Sequence, residues 1–176
     1  MSKFKLAWQR FRSHFWIALA FDALVIVSIF LSIHAWQTRD LPVDEPVPES
    51  LLAQLDGSGV RSMIKPGKAG IVYFFAPWCF YCRHSIGNLD ELVEEDRIAW
   101  ATVVALDYGD ASEVQAFVNE TGISLPVLMG TRLTANEWGV RAFPTYFVID
   151  EQGQIHSRSV GYSSWLGMWF RYRMVL

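Results

Sequence analysis

Residues 71–82 read IVYFFAPWCFYC, and this stretch decides the fold. Ile71–Phe75 is short, apolar and rich in β-formers, which predicts a buried strand. Ala76-Pro77 turns the chain. From Cys79 to Glu95 the pattern suits a helix, with Ile86, Leu89, Leu92 and Val93 on one face. The first cysteine therefore stands at a helix N-terminus. Such an end presents unpaired N–H groups and about half a positive charge. A thiolate is favoured there, so its pKa falls below the free value of about 8.5. The thiolate is the nucleophile of disulfide exchange. Spacing of three puts Cys82 one turn further on the same face. Cys79 is expected to be the exposed, attacking sulfur, and Cys82 the buried one that closes the ring and releases whatever was captured.

Working outward, Ala142-Phe143-Pro144-Thr145 precedes the apolar run Tyr146–Ile149. A proline just before a strand fits a cis bond, which costs only ~0.5–1 kcal/mol at X-Pro. That bond would offer the Phe143 backbone to a substrate strand. Trp78, Phe143, Pro144 and Thr145 are therefore the candidate supporting residues. Elsewhere, Leu51–Leu55 and Val60–Ile64 flank the turn Asp56-Gly57-Ser58-Gly59 and predict an N-terminal hairpin. Ile98–Leu106 predicts a second long strand, Ala111–Thr121 a helix stopped by Gly122, and Pro126–Met129 a short strand. Thr134–Trp138 predicts a short helix, Ile155–Val160 an edge strand and Ser163–Met174 a closing helix. This order implies an α/β domain, a central mixed sheet flanked by helices.

Before the domain, Phe15–Ile33 is a 19-residue apolar run with one charge, Asp22. As a helix it spans roughly 28 Å, close to the ~30 Å hydrocarbon core. Trp8, Trp16 and Trp36 suit the two interfaces. Lys3, Lys5, Arg10 and Arg12 precede the run and only Arg39 follows it closely, so residues 1–14 are expected inside and the rest outside. A cleaved signal peptide would have an apolar region of about 7–15 residues and a small-x-small site; Ile33-His34-Ala35 is a poor one. Asp22 reads equally as a contact with another membrane helix or as a tolerated, protonated carboxyl. Pro42, Pro46 and Pro48 mark 37–50 as an extended spacer. The expected organisation is 1–14 cytoplasmic, 15–36 transmembrane, 37–50 linker and 51–176 catalytic domain.

The 176 residues carry a formal net charge of −3, which invites no nucleic-acid partner. The apolar fraction of 52% is enough for a core. Two cysteines three positions apart cannot staple a secreted scaffold, so their role is chemical. No cofactor is expected. The competing reading of the same sulfurs is a copper-binding or copper-delivery site made by Cys79, Cys82 and His84. CxxCxH is neither a haem attachment motif nor a closed zinc set, and helical geometry turns His84 largely away from Cys79. Arg83 reads as a solvated surface charge or as a cation favouring the Cys79 thiolate. Trp78 reads as core packing, as a shield over the sulfurs, or as both.

Trp-Cys-x-x-Cys after an apolar strand, with Phe143-Pro144-Thr145 before Tyr-Phe-Val-Ile-Asp and a glycine turn, resembles thioredoxin. The anchor, the hairpin and the insert before Pro144 resemble the TlpA-like branch. Gly161-Tyr162-Ser163-Ser164 and a basic C-terminal helix are most similar to the membrane-anchored suppressor-for-copper-sensitivity D-type proteins. The resemblance covers about residues 40–176. It implies a thioredoxin fold and a periplasmic disulfide reductase or interchange role on a bacterial inner membrane. It also implies copper tolerance, disulfide-bearing protein substrates, and electrons from a membrane reductase of the DsbD type. Two positions depart from the pattern. Thioredoxin has a buried Asp six residues before the first cysteine, where this chain has Tyr73; Asp107 is a distant candidate for the missing proton acceptor. Phe80-Tyr81 between the cysteines lacks the usual Pro or His.

Overall fold

The computed structural model describes residues 2–39, 41–43, 46–48 and 51–176, and for 2–14, 34 and 37 the backbone alone. The linker acids Asp40, Asp44, Glu45 and Glu49, and the side chains of Lys3, Lys5, Trp8, Arg10 and Arg12, lie outside the described residues. The chain divides into two compact units, Met1–Arg39 and Asp40–Leu176.

The first unit is one helix, α1 (Ser2–Thr38). No glycine or proline interrupts the sequence before Pro42, so the helix extends well beyond the apolar run. Phe15–Ile33 is long and apolar enough to cross a bilayer. All its side chains are exposed, Asp22 among them.

The second unit is a thioredoxin fold. In chain order it contains β1 (Leu51–Gln54), β2 (Val60–Ser62), β3 (Gly70–Phe75), α2 (Phe80–Glu94), β4 (Ala101–Ala105) and α3 (Ala111–Thr121). It continues with β5 (Val127–Met129), α4 (Arg132–Glu137), β6 (Thr145–Ile149), β7 (Ile155–Val160) and α5 (Trp165–Arg173). The seven strands form one mixed sheet in the order β2-β1-β5-β4-β3-β6-β7. β3, β4 and β5 are mutually parallel, and β6, β7 and the hairpin strands pair antiparallel.

β3 lies between β4 and β6, and all six of its residues are buried, as a strand covered on both faces requires. Its alternating side chains feed two cores. Ile71, Tyr73 and Phe75 pack with Ile86 and Leu89 of α2, Phe117 of α3 and Met168 of α5. Val72 and Phe74 pack with Trp100, Trp138 and Phe147 on the other face.

Several boundaries differ from the sequence expectation for local reasons. α2 begins at Phe80 because Cys79 is its N-cap. α4 begins at Arg132 because Thr131 and Thr134 form a reciprocal cap. Ser164 caps α5, which starts two residues later than predicted. The second central strand is confined to Ala101–Ala105. The segment read as a free spacer is partly built into the domain: Leu41 and Val47 are buried in the second core, and the Val47 N–H donates to the Gly153 carbonyl at 3.0 Å.

The start of β3 is sterically exacting. The Trp100 indole donates to the Lys68 carbonyl at 2.9 Å and lies over Gly70, where any Cβ would overlap it. Gly70→Ala is expected to lower the unfolding free energy by roughly 1–3 kcal/mol through overpacking. A urea midpoint in detergent equal to that of the parent chain would contradict this packing.

Candidate active site

The turn after β3 delivers Cys79 to the first position before α2. Its backbone is extended (φ −76°, ψ 110°), and its Sγ accepts the Cys82 N–H at 3.1 Å. The cysteine thus takes the place usually held by a Ser or Asp cap. The Cys79 N–H donates to the Ala76 carbonyl at 3.0 Å, which tightens the turn. Cys79 and Cys82 are joined as a disulfide with Cα atoms 5.3 Å apart. Cys82 is 0% exposed, as expected, but Cys79 is only 4% exposed rather than open. The exposed surface of the motif is aromatic instead: Trp78, Phe80 and Tyr81 are each at least 60% exposed.

Trp78 is therefore not a core residue. Its indole N–H is shared between the Asp107 carbonyl oxygen (3.1 Å) and Oδ2 (3.2 Å). Its ring meets Phe143 edge-on, with centroids 5.8 Å apart. Asp107, two residues past the end of β4, has φ +50°, a conformation uncommon for a residue with a Cβ. This fixes the role of Asp107: it holds Trp78. Phe143–Pro144 is a cis peptide bond. Around it, the Thr145 hydroxyl donates to the Ala142 carbonyl at 2.8 Å, and the Gly161 N–H donates to the Pro144 carbonyl at 2.8 Å. Both Pro144 and Thr145 are buried, whereas Phe143 is half-buried. The Trp78–Phe143 contact brings the proline loop against the dithiol turn. Asp107 and Phe143 also line a cleft of about 520 Å³ with Tyr108, Thr131 and Arg132.

Arg83 is bound in place. One guanidinium N–H donates to the Pro77 carbonyl at 2.9 Å, and Nε pairs with Glu120 at 3.3 Å. It clamps the turn that precedes the cysteines. Nδ1 of His84 lies 2.9 Å from the Phe80 carbonyl oxygen, and its ring meets Phe80 at a tilt of 38°, with centroids 4.3 Å apart. Among the described residues no three His, Cys, Asp or Glu side chains gather to hold a metal, so Cys79, Cys82 and His84 do not form a ligand set here.

The core cluster that contains the two cysteines also holds groups that periodicity did not single out. Tyr73, in place of a buried carboxylate, meets the Ser85 hydroxyl at 2.6 Å. Burial pushes its phenol well above the ordinary tyrosine range. Its ring stacks on Tyr146 at 6.4 Å, and the Tyr146 oxygen accepts from Ser163 and Arg171, each at 3.3 Å. The one available signal for Ser85 was its spacing: a hydroxyl three residues after Cys82, on the buried face. The buried Asp90 carboxylate accepts from the Ser124 N–H (2.9 Å) and hydroxyl (2.8 Å), so it is spent in joining α2 to the loop after α3.

The chain matches the AhpC/TSA family over residues 43–158. It is 24% identical over 149 residues to the thiol-disulfide oxidoreductase ResA of Halalkalibacterium halodurans, covering 82% of this chain and 85% of that protein. To the thioredoxin-like protein YneN of Bacillus subtilis it is 28% identical over 123 residues, covering 66% and 71%. A crystal structure of a thiol:disulfide interchange protein of the thioredoxin family from Chlorobium tepidum superposes with a TM-score of 0.65. That likeness has 26% identity and covers 76% of this chain and 97% of the other. With its fold, its cysteine pair and the span matched, the chain belongs to the AhpC/TSA family and is a thiol–disulfide oxidoreductase.

Proposed function

We propose that this oxidoreductase works outside the cytoplasmic membrane, tethered by α1, and reduces or exchanges disulfides of proteins in the periplasm. The observation that carries the reading is the Cys79–Cys82 disulfide at the capped start of α2, with the Phe143–Pro144 loop against its turn.

In the reduced chain, the Cys79 thiolate attacks one sulfur of a substrate disulfide. One substrate thiolate leaves and takes a proton from water, and a mixed disulfide forms. Cys82 then gives its proton to water and attacks the Cys79 sulfur, expelling the second substrate sulfur as a thiolate that takes a proton from water. The substrate gains two electrons and the chain is left oxidised. The Phe143 backbone makes no hydrogen bond among the described residues and is thus free to pair with an extended substrate segment. Trp78, Phe143, Pro144 and Thr145 shape that surface. An oxidising compartment leaves the disulfide formed unless a dedicated donor acts, which supports a membrane reductase of the DsbD type as partner. The apolar run of α1 and the lysines and arginines before it support a single-pass inner-membrane anchor with residues 1–14 cytoplasmic and the domain outside. The hairpin, the anchor and the residues 161–164 before α5 support the suppressor-for-copper-sensitivity D-type branch.

Three outcomes are expected. Cys82→Ser accumulates mixed disulfides with periplasmic proteins, visible on non-reducing gels, and Cys79→Ser abolishes both trapping and turnover; an absence of trapped species contradicts the mechanism. After reduction, iodoacetamide labels Cys79 at least about tenfold faster than Cys82, by peptide mass mapping, because thiolate content and access both favour it; equal labelling contradicts the assignment of roles. A C-terminal alkaline phosphatase fusion is active and stays with membranes after carbonate washing, whereas an inactive or soluble fusion contradicts the anchor.

A further inference from the structure

The Tyr73–Ser85 pair has a proton left over. Each hydroxyl carries one donor. One is used across the 2.6 Å contact, and the other has no acceptor among the described residues. Both residues are fully buried, where an unspent polar hydrogen is costly. Ser85 follows Cys82 by three positions on α2, so the two are neighbours on one helix face. Tyr73 reaches the same cluster from β3. In the oxidised chain the Cys82 sulfur is occupied by its bond to Cys79. Reduction frees it to accept a hydrogen bond, at a position that is 0% exposed in the oxidised chain.

We propose that in the reduced protein the spare O–H of the Tyr73–Ser85 pair donates to the Cys82 sulfur, stabilising its thiolate and aiming it at Cys79. The inference rests on the oxidoreductase reading and concerns its second step. Tyr73 and Ser85 are positioning residues: they lend a hydrogen bond and keep both protons, while the Cys82 proton passes to water. Hydrogen bonds to an ionised acceptor are about twice as strong as neutral ones, so the pair favours the thiolate over the thiol. Burial holds the Tyr73 phenol neutral, so it serves as donor and not as base.

Of the other titratable groups on the surrounding elements, His84, Glu91, Glu94, Glu113 and Arg173 are exposed, and the rest are engaged elsewhere. On α2, Arg83 is bound to Pro77 and to Glu120 of α3, and Asp90 to Ser124. Just past β4, Asp107 holds Trp78. From β6 the Tyr146 oxygen takes donors from Ser163 and from Arg171 of α5, and on α5 the Tyr172 oxygen accepts the Ala99 N–H and lies 3.4 Å from the Ala69 carbonyl. The hydroxyl pair is thus a buried polar group that shares the core of Cys82 and is not bound elsewhere among the described residues.

The test uses the reduced full chain in detergent micelles and dithiobis(nitrobenzoate). Attack by Cys79 releases a first coloured thiolate, and resolution by Cys82 releases a second. The rate of the second phase is followed from about pH 6 to about pH 10. Of Tyr73→Phe and Ser85→Ala, the one that removes the donating hydroxyl is expected to slow the second phase about tenfold at neutral pH and to recover at alkaline pH, the size set by one charge-assisted bond. The first phase keeps its pH midpoint, Ser85→Thr behaves as the parent, and the double variant is no slower than the slower single one. An unmoved second-phase midpoint in both single variants overturns the proposal, as does an equal shift of the two phases. A parent chain that shows no second phase overturns the oxidoreductase mechanism itself, so the two failures are distinguishable.

Discussion

The site depends on one interaction, the Cys82 N–H donated to the sulfur of Cys79. A helix must satisfy its first amide hydrogens, and this helix does so with the atom that carries the chemistry. The same geometry then serves structure and reactivity together. A sulfur that accepts a backbone N–H at a positive helix end is stabilised as an anion and lies within reach of the next cysteine. The surrounding elements hold this arrangement. β3 fixes where the turn begins, the Ala76 carbonyl and Arg83 fix its shape, and Trp78 locks it against the loop of Pro144.

Most of the fold was legible because its central elements obey simple patterns. The β3 run, the α3 helix with its Gly122 stop and the β7 edge strand are where periodicity and turn residues place them. The cysteines and the cis proline were legible from spacing and context. What escaped the sequence depends on three-dimensional partners. Nothing in the local pattern says that Asp107, just past β4, adopts a left-handed conformation and holds an indole 29 positions away. Nor does it say that Arg83 turns back to the Pro77 carbonyl, or that Leu41 and Val47 dock on the second core. Cys79 was expected to be open because a nucleophile needs access. Its side chain is small and sits among three large exposed aromatics, so the oxidised sulfur is nearly covered.

Two carboxylates that charge-based reasoning would recruit, Asp90 and Asp107, are committed to structural bonds, and the interior position facing α2 from β3 holds a phenol. The polar environment that shares the core of the dithiol is therefore built from neutral hydroxyls. Hydrogen bonding and the helix dipole are the physical means such a site has to favour a thiolate.

The central claim is that the helix start keeps Cys79 ionised. The most direct measurement is a pH titration of the far-ultraviolet thiolate absorbance of the full-length Cys82→Ala chain in detergent, where Cys79 alone titrates among thiols. The account predicts a midpoint at or below about pH 7.5, clearly under the free-cysteine value of about 8.5. A midpoint at or above that free value would contradict it.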